Sequence, residues 1–76
     1  MDLELLGRRL KIARVAQDLT IAELSEISGI TQPTISRLER GIHQPALYTV
    51  SRLAEALHVK MSDLFSEEGT EENVPW

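Results

Sequence analysis

Residues 28–41 read SGITQPTISRLERG, a short segment with four hydroxyls, a glutamine and two arginines but only Ile30, Ile35 and Leu38 to bury. These groups recognise; they do not catalyse. Wound at about 100° per residue from Gln32, Ile35 and Leu38 fall on one side with Glu39 beside them. Pro33, Arg37 and Arg40 face the opposite way, flanked by Gln32, Thr34 and Ser36. Such a helix anchors on two aliphatic side chains and presents a polar, cationic outer surface. Arginine can grip guanine edges in a major groove, glutamine can pair with adenine, and hydroxyls and arginine reach phosphates.

Residues of other chemistries are missing or misplaced. The sequence has no cysteine, hence no thiolate nucleophile, disulfide or thiolate metal site. It has no glycine-rich phosphate loop, and no serine, histidine and acid spaced to converge. His43 reads as a loop residue within reach of phosphate. His58 sits at a helix end, where a partly positive imidazole suits the dipole, and neither histidine has a second metal ligand at useful spacing. The chain is therefore expected not to be an enzyme and to need no cofactor or metal.

The elements that must hold this surface follow from spacing. Leu3, Leu6, Leu10 and Ala13 recur at helical intervals over about residues 2–17, with Asp2 as cap and Gly7 allowing close packing. Thr20 and Glu23 have capping-box spacing, so a second helix runs from Thr20 through Ile27 and stops at Gly29, a left-handed terminator; Asp18 can turn left-handed just before it. The third opens at Thr31 with Pro33 in its first turn, where the missing N–H costs little, and ends at Gly41. Pro45 leads into a fourth with the stripe Leu47, Val50, Leu53, Ala54 and Leu57. A short fifth carries Val59, Met61, Leu64 and Phe65 under the core. The expected fold is all-α, a compact five-helix bundle over residues 1–65, followed by an acidic tail at 66–76 expected to be flexible or dimer-associated.

Two short helices joined at a glycine, the second polar outside, is the helix-turn-helix layout. The segment LTIAELSEISGITQPTISRLERG resembles the helix-turn-helix of phage repressors and Cro and of the bacterial regulators grouped with them, the Cro/repressor or xenobiotic-response-element family. The likeness covers about residues 6–65, through LGRRLKIAR before the motif and PALYTVSRLAEALHVKMSDLF after it. It implies the phage-repressor type of bundle, with Leu24, Ile30, Ile35 and Leu38 packing the motif helices, Ser25 at their crossing and Gly29 in the turn. It implies that Gln32, Pro33, Thr34, Ser36 and Arg37 contact bases or nearby phosphates and Arg40 the backbone beyond; Thr20, Ile21, His43 and Arg9 are further expected to contact phosphate. Arg14 and Glu39 match a pair that in relatives forms a largely buried ion pair. The chain departs from the pattern at Ile21, where many relatives carry a phosphate-contacting glutamine, and at Val15, Ile42 and His43, which are often basic or Asn.

Net charge is −4, but four of the twelve acids (Glu67, Glu68, Glu71, Glu72) lie beyond residue 65, leaving a neutral body with eight acids and eight bases. A neutral body can still present a basic face. At 76 residues the chain makes one small domain, and no apolar run approaches the ~20 residues that cross a bilayer. These features lead us to expect a cytoplasmic, bacterial or phage, sequence-specific regulator, a repressor or control protein, without a membrane partner. One short helix makes few base contacts, so a homodimer on a pseudo-palindromic operator is expected, with Tyr48, Met61, Val74 and Trp76 as its apolar surface. The other reading is an antitoxin or regulatory interaction module that binds a partner protein through the acidic tail and Trp76.

Overall fold

The computed structural model describes residues 2–65, which form five helices: α1 Leu3–Ala16, α2 Ile21–Ser28, α3 Gln32–Glu39, α4 Leu47–Leu57 and α5 Met61–Phe65. No strand occurs among the described residues. Local chemistry starts several of the helices. The Asp2 carboxylate accepts from the amides of Glu4 and Leu5, both at 3.0 Å. At α2 both halves of the capping box form: Glu23 N–H donates to Thr20 Oγ1 at 3.0 Å and Thr20 N–H to Glu23 Oε1 at 2.8 Å. The Asp63 carboxylate accepts from the Lys60 amide at 3.2 Å and so caps α5. Thr31 departs from expectation. It has the extended backbone of an N-cap, but its side chain makes no cap bond; its hydroxyl pairs instead with that of Thr34 at 2.9 Å.

Left-handed residues turn the chain between elements. Asp18 (φ 58°) separates α1 from α2, Gly29 (φ 79°) separates α2 from α3, Gly41 (φ 71°) follows α3, and His58 (φ 59°) ends α4. Only glycine enters this region without a steric cost. At Gly41 there is a second constraint, since a Cβ would also meet the Glu4 backbone at 3.0 Å.

The core is aliphatic. Leu10, Leu24, Ile35, Leu38, Leu53 and Leu57 form one buried cluster, and Leu6, Val50, Ala54 and Leu64 a second, closed from below by Val59, Met61 and Phe65. Leu47, expected in the α4 stripe, is 68% exposed. It shares the inward face of α4 but opens the helix, and side chains lean toward the N-terminus, which carries it past the elements that cover Val50. Helix α3 contributes only Ile35 and Leu38 to the core. It lies across α1 and α2, while α4 packs on α2 and α5 closes against α1 and α4.

The crossing of α1 and α3 is set by Gly7, which is buried. A Cβ there would collide with the carbonyl oxygens of Leu38 and Glu39, so the last turn of α3 rests directly on the α1 backbone. Alanine normally favours a helix interior over glycine by about 1 kcal/mol. Here the overlap, with backbone atoms that cannot rotate away, should outweigh that gain. Gly7→Ala is expected to destabilise the fold by about 2 kcal/mol in urea denaturation, and a variant as stable as the parent would show that the helices can separate at no cost.

Candidate nucleic-acid interface

The polar side of α3 is open. Gln32, Pro33, Arg37 and Arg40 are exposed, and Thr34 and Ser36 are half-buried at its two edges. Ile35 and Leu38 beneath them are fully enclosed. The six residues expected on one surface are thus brought together on it. Thr34 is tied to Thr31 through the hydroxyl pair, and Arg40 lies back along its helix, with Nε donating to the Ser36 carbonyl at 3.4 Å. Arg37 is exposed on the same surface. Pro33 offers an apolar patch of the kind that packs on a thymine methyl.

The first turn of α2 flanks this surface. Its leading amides, Ile21 and Ala22, have no intrahelical acceptor and sit at the positive end of the helix dipole, a place suited to a phosphate. The Ile21 side chain is packed against the core, so this residue can offer a phosphate only its backbone N–H. Thr20 has committed its amide and one hydroxyl lone pair to the capping box, which leaves the hydroxyl proton to donate. His43 is exposed in the loop after α3.

Arg9 stands apart. It is half-buried, and its Nη1 donates to the Asp63 carbonyl at 3.1 Å, tying α1 to α5. On α1 it lies about 160° around the axis from Gly7, the residue that meets α3. This placement removes Arg9 from the surface on which Arg37 and Arg40 lie. Nothing in the local sequence announces this contact with a residue 54 positions away.

Arg14 and Glu39 hold α3 to α1. Arg14 Nε and Nη2 donate to the two Glu39 oxygens at 2.7 and 3.0 Å, and Nη1 donates to the Leu19 carbonyl at 2.7 Å. The side chains are only 11% and 6% exposed. Hydrogen bonding to Glu39, opposed by the desolvation of burial and helped by the carboxylate's charge, raises the Arg14 pKa above the ordinary arginine value. A raised arginine contributes fully below its unfolded pKa and fades only above its folded one. Arg14 therefore stays charged throughout the physiological range.

Of the residues expected at a dimer surface, Tyr48 is 67% exposed and Met61 is partly buried against the second core cluster. Val74 and Trp76, with the acidic segment 66–76 expected to take a protein partner, lie outside the described residues. Among the described residues no helix is long and apolar enough to cross a membrane, and no group of three or more potential ligands could hold a metal ion.

Residues 10–64 match the family model described as helix-turn-helix. The chain is 36% identical over 75 residues to the HTH-type transcriptional repressor RghR of Bacillus subtilis, covering 95% of this chain and 54% of that one. It spans about half the length, or less, of the curated relatives it matches first. Among solved structures, the restriction-modification controller protein C.AhdI from Aeromonas hydrophila superposes with a TM-score of 0.81 at 33% identity, over 84% of this chain and 97% of that one. The clp gene regulator ClgR from C. glutamicum does so with a TM-score of 0.79 at 28% identity, over 84% and 82%.

Because Arg14 and Glu39 are both shielded, removing one strands the other charge. Glu39→Ala is expected to cost about 3 kcal/mol of stability in urea, with more than half recovered in the Arg14→Met/Glu39→Leu double variant, where neither charge remains. A single-variant loss within about 0.5 kcal/mol, ordinary for a surface substitution, would show that the pair does not hold α3.

Proposed function

The chain belongs to the helix-turn-helix family, and from that premise we propose that it is a sequence-specific double-stranded DNA-binding transcriptional regulator that inserts α3 into the major groove. The observation that carries the reading is the exposed row Gln32, Pro33, Arg37 and Arg40 on a helix whose opposite side is sealed by Ile35 and Leu38. Arg37 is the base-reading cation, suited to the O6 and N7 of guanine; Gln32 suits adenine and Pro33 a thymine methyl. Thr34 and Ser36, at the edges, reach bases or the adjoining phosphates. Arg40, the Thr20 hydroxyl, the Ile21 amide and His43 clamp the flanking backbone. Phosphate contacts of this kind set register, while base contacts supply specificity.

One eight-residue helix reads few base pairs, so the regulator acts as a homodimer on a pseudo-palindrome with half-sites about 34 Å apart. Exposed Tyr48 marks the surface available for pairing, with Met61 contributing less because most of it is already packed. The related RghR is a transcriptional repressor, and repression follows from the same geometry whenever the site overlaps a promoter. The expected site of action is the bacterial cytoplasm.

Selection of bound duplexes from a random pool at fixed salt is expected to return a two-fold symmetric sequence. On it, Arg37→Ala should lower affinity by about tenfold or more, equivalent to the 1–3 kcal/mol of a bidentate base contact, and relax the preference at one position of each half-site. Equal retention of all sequences, or full affinity in the variant, would contradict the proposal.

A further inference from the structure

Helix α4 carries an arginine that no DNA contact requires. Arg52 Nε and Nη2 both donate to the carbonyl oxygen of Ser28, the last residue of α2, at 3.1 and 3.0 Å. Its guanidinium also lies 5.9 Å from the centroid of the Tyr48 ring, one helical turn earlier, and Nη1 is 3.5 Å from the Tyr48 hydroxyl. The aromatic face and the carbonyl hold the fork from two sides. We propose that Arg52 is a positioning residue for DNA recognition, one that fixes the turn from which α3 departs and through it the angle at which Arg37 and Gln32 are presented. The inference rests on the DNA-binding reading above.

Three features make the Ser28 carbonyl the point of control. It belongs to the last turn of α2, whose carbonyls lack intrahelical donors and which has no basic residue of its own; α4 supplies from outside the positive charge that the helix end favours. Ser28 is itself buried, and its hydroxyl oxygen accepts from the Ile30 amide at 3.1 Å, so the same residue shapes the next two positions of the turn. Beyond it, α3 begins without a side-chain cap, because the Thr31 hydroxyl is turned to Thr34. The start of α3 is therefore located by the turn rather than by a side-chain cap. The guanidinium also fills the space beside Gly29, where a Cβ would stand 3.2 Å from Nη2.

Arg52 acts on the far side of the motif from the nucleic acid. In the proposed docking the phosphate meets the first turn of α2, whereas Arg52 grips its last residue, about 10 Å along the helix axis at 1.5 Å per residue. A phosphate contact and a positioning contact thus predict different salt behaviour. Loss of a phosphate contact lowers the slope of log K against log salt by about 0.9, whereas loss of positioning leaves the slope unchanged and lowers only the affinity that depends on aligned base contacts.

The test uses Arg52→Ala and Arg52→Lys in the full chain, with two readouts. Without DNA, amide hydrogen exchange followed by NMR is expected to accelerate about tenfold in Arg52→Ala at Ile30 and along α3, with the α1 amides unchanged. With DNA, Arg52→Ala is expected to bind the selected duplex about tenfold more weakly, to bind an unrelated duplex as the parent does, and to keep the parental salt slope. Arg52→Lys, which retains the charge and one donor toward Ser28, should recover part of the loss. Uniform acceleration of exchange in every helix would overturn the proposal in favour of a plain stabilising role. An equal loss on both duplexes with a shallower slope would overturn it in favour of a phosphate contact. A parent that fails to discriminate any duplex would refute the DNA-binding reading, while the exchange measurement would still decide whether Arg52 controls the turn.

Discussion

A helix of eight residues that buries two side chains cannot hold itself in place. Isolated helices of that length are not stable in water, and α3 has little apolar surface with which to stick, since Ile35 and Leu38 are its only buried residues. Adding apolar anchors would consume the outer face that the proposed recognition needs. Much of the rest of the fold can be understood as the answer to this constraint, and most of that answer is polar and geometric rather than hydrophobic.

At its C-terminal end α3 is held twice by α1. Gly7 lets the Leu38 and Glu39 carbonyls approach the α1 backbone, and the forked Arg14–Glu39 pair closes beside it. Close approach and ion pair depend on each other: a side chain at position 7 would push α3 outward and lengthen the two bonds, and a longer, wetter pair would be worth little. At its N-terminal end the restraint is the turn, with left-handed Gly29, the Ser28 hydroxyl bond to Ile30 and the grip of α4 on the Ser28 carbonyl. Both ends are thereby fixed while the exposed side stays empty.

What could be read from the sequence divides along the same line. Features set by neighbours in the chain were legible: the Asp2 cap, the Thr20–Glu23 box, the turn at Gly29, the left-handed Asp18, and the sidedness of α3, because helical spacing alone separates Ile35 and Leu38 from Pro33, Arg37 and Arg40. The Arg14–Glu39 pair was reached through the family resemblance, with the wheel placing Glu39 near the core. Features set by partners distant in sequence were not. Arg9 and Arg52 look like any surface arginine until α5 and α2 are folded against them. Leu47 fits the α4 stripe by spacing and lies outside only because the helix begins there. Thr31 has the residue type of a cap, and its hydroxyl takes the competing partner Thr34 instead.

The fate of the arginines bears on how selective the proposed recognition is. Arg14 serves the ion pair and the Leu19 carbonyl, Arg52 the Ser28 carbonyl, and Arg9 the Asp63 carbonyl. On the surface carried by α3 this leaves Arg37 and Arg40, on a body whose described part has as many acids as bases. Affinity for arbitrary DNA grows with the number of phosphates neutralised, so a surface with few cations binds poorly wherever its base contacts are not satisfied. By spending Arg14 and, as proposed, Arg52 on holding α3, such a domain lowers nonspecific attraction and sharpens the specific fit together. Specificity in this design comes from a scarcity of charge combined with a fixed presentation of the few charges that remain.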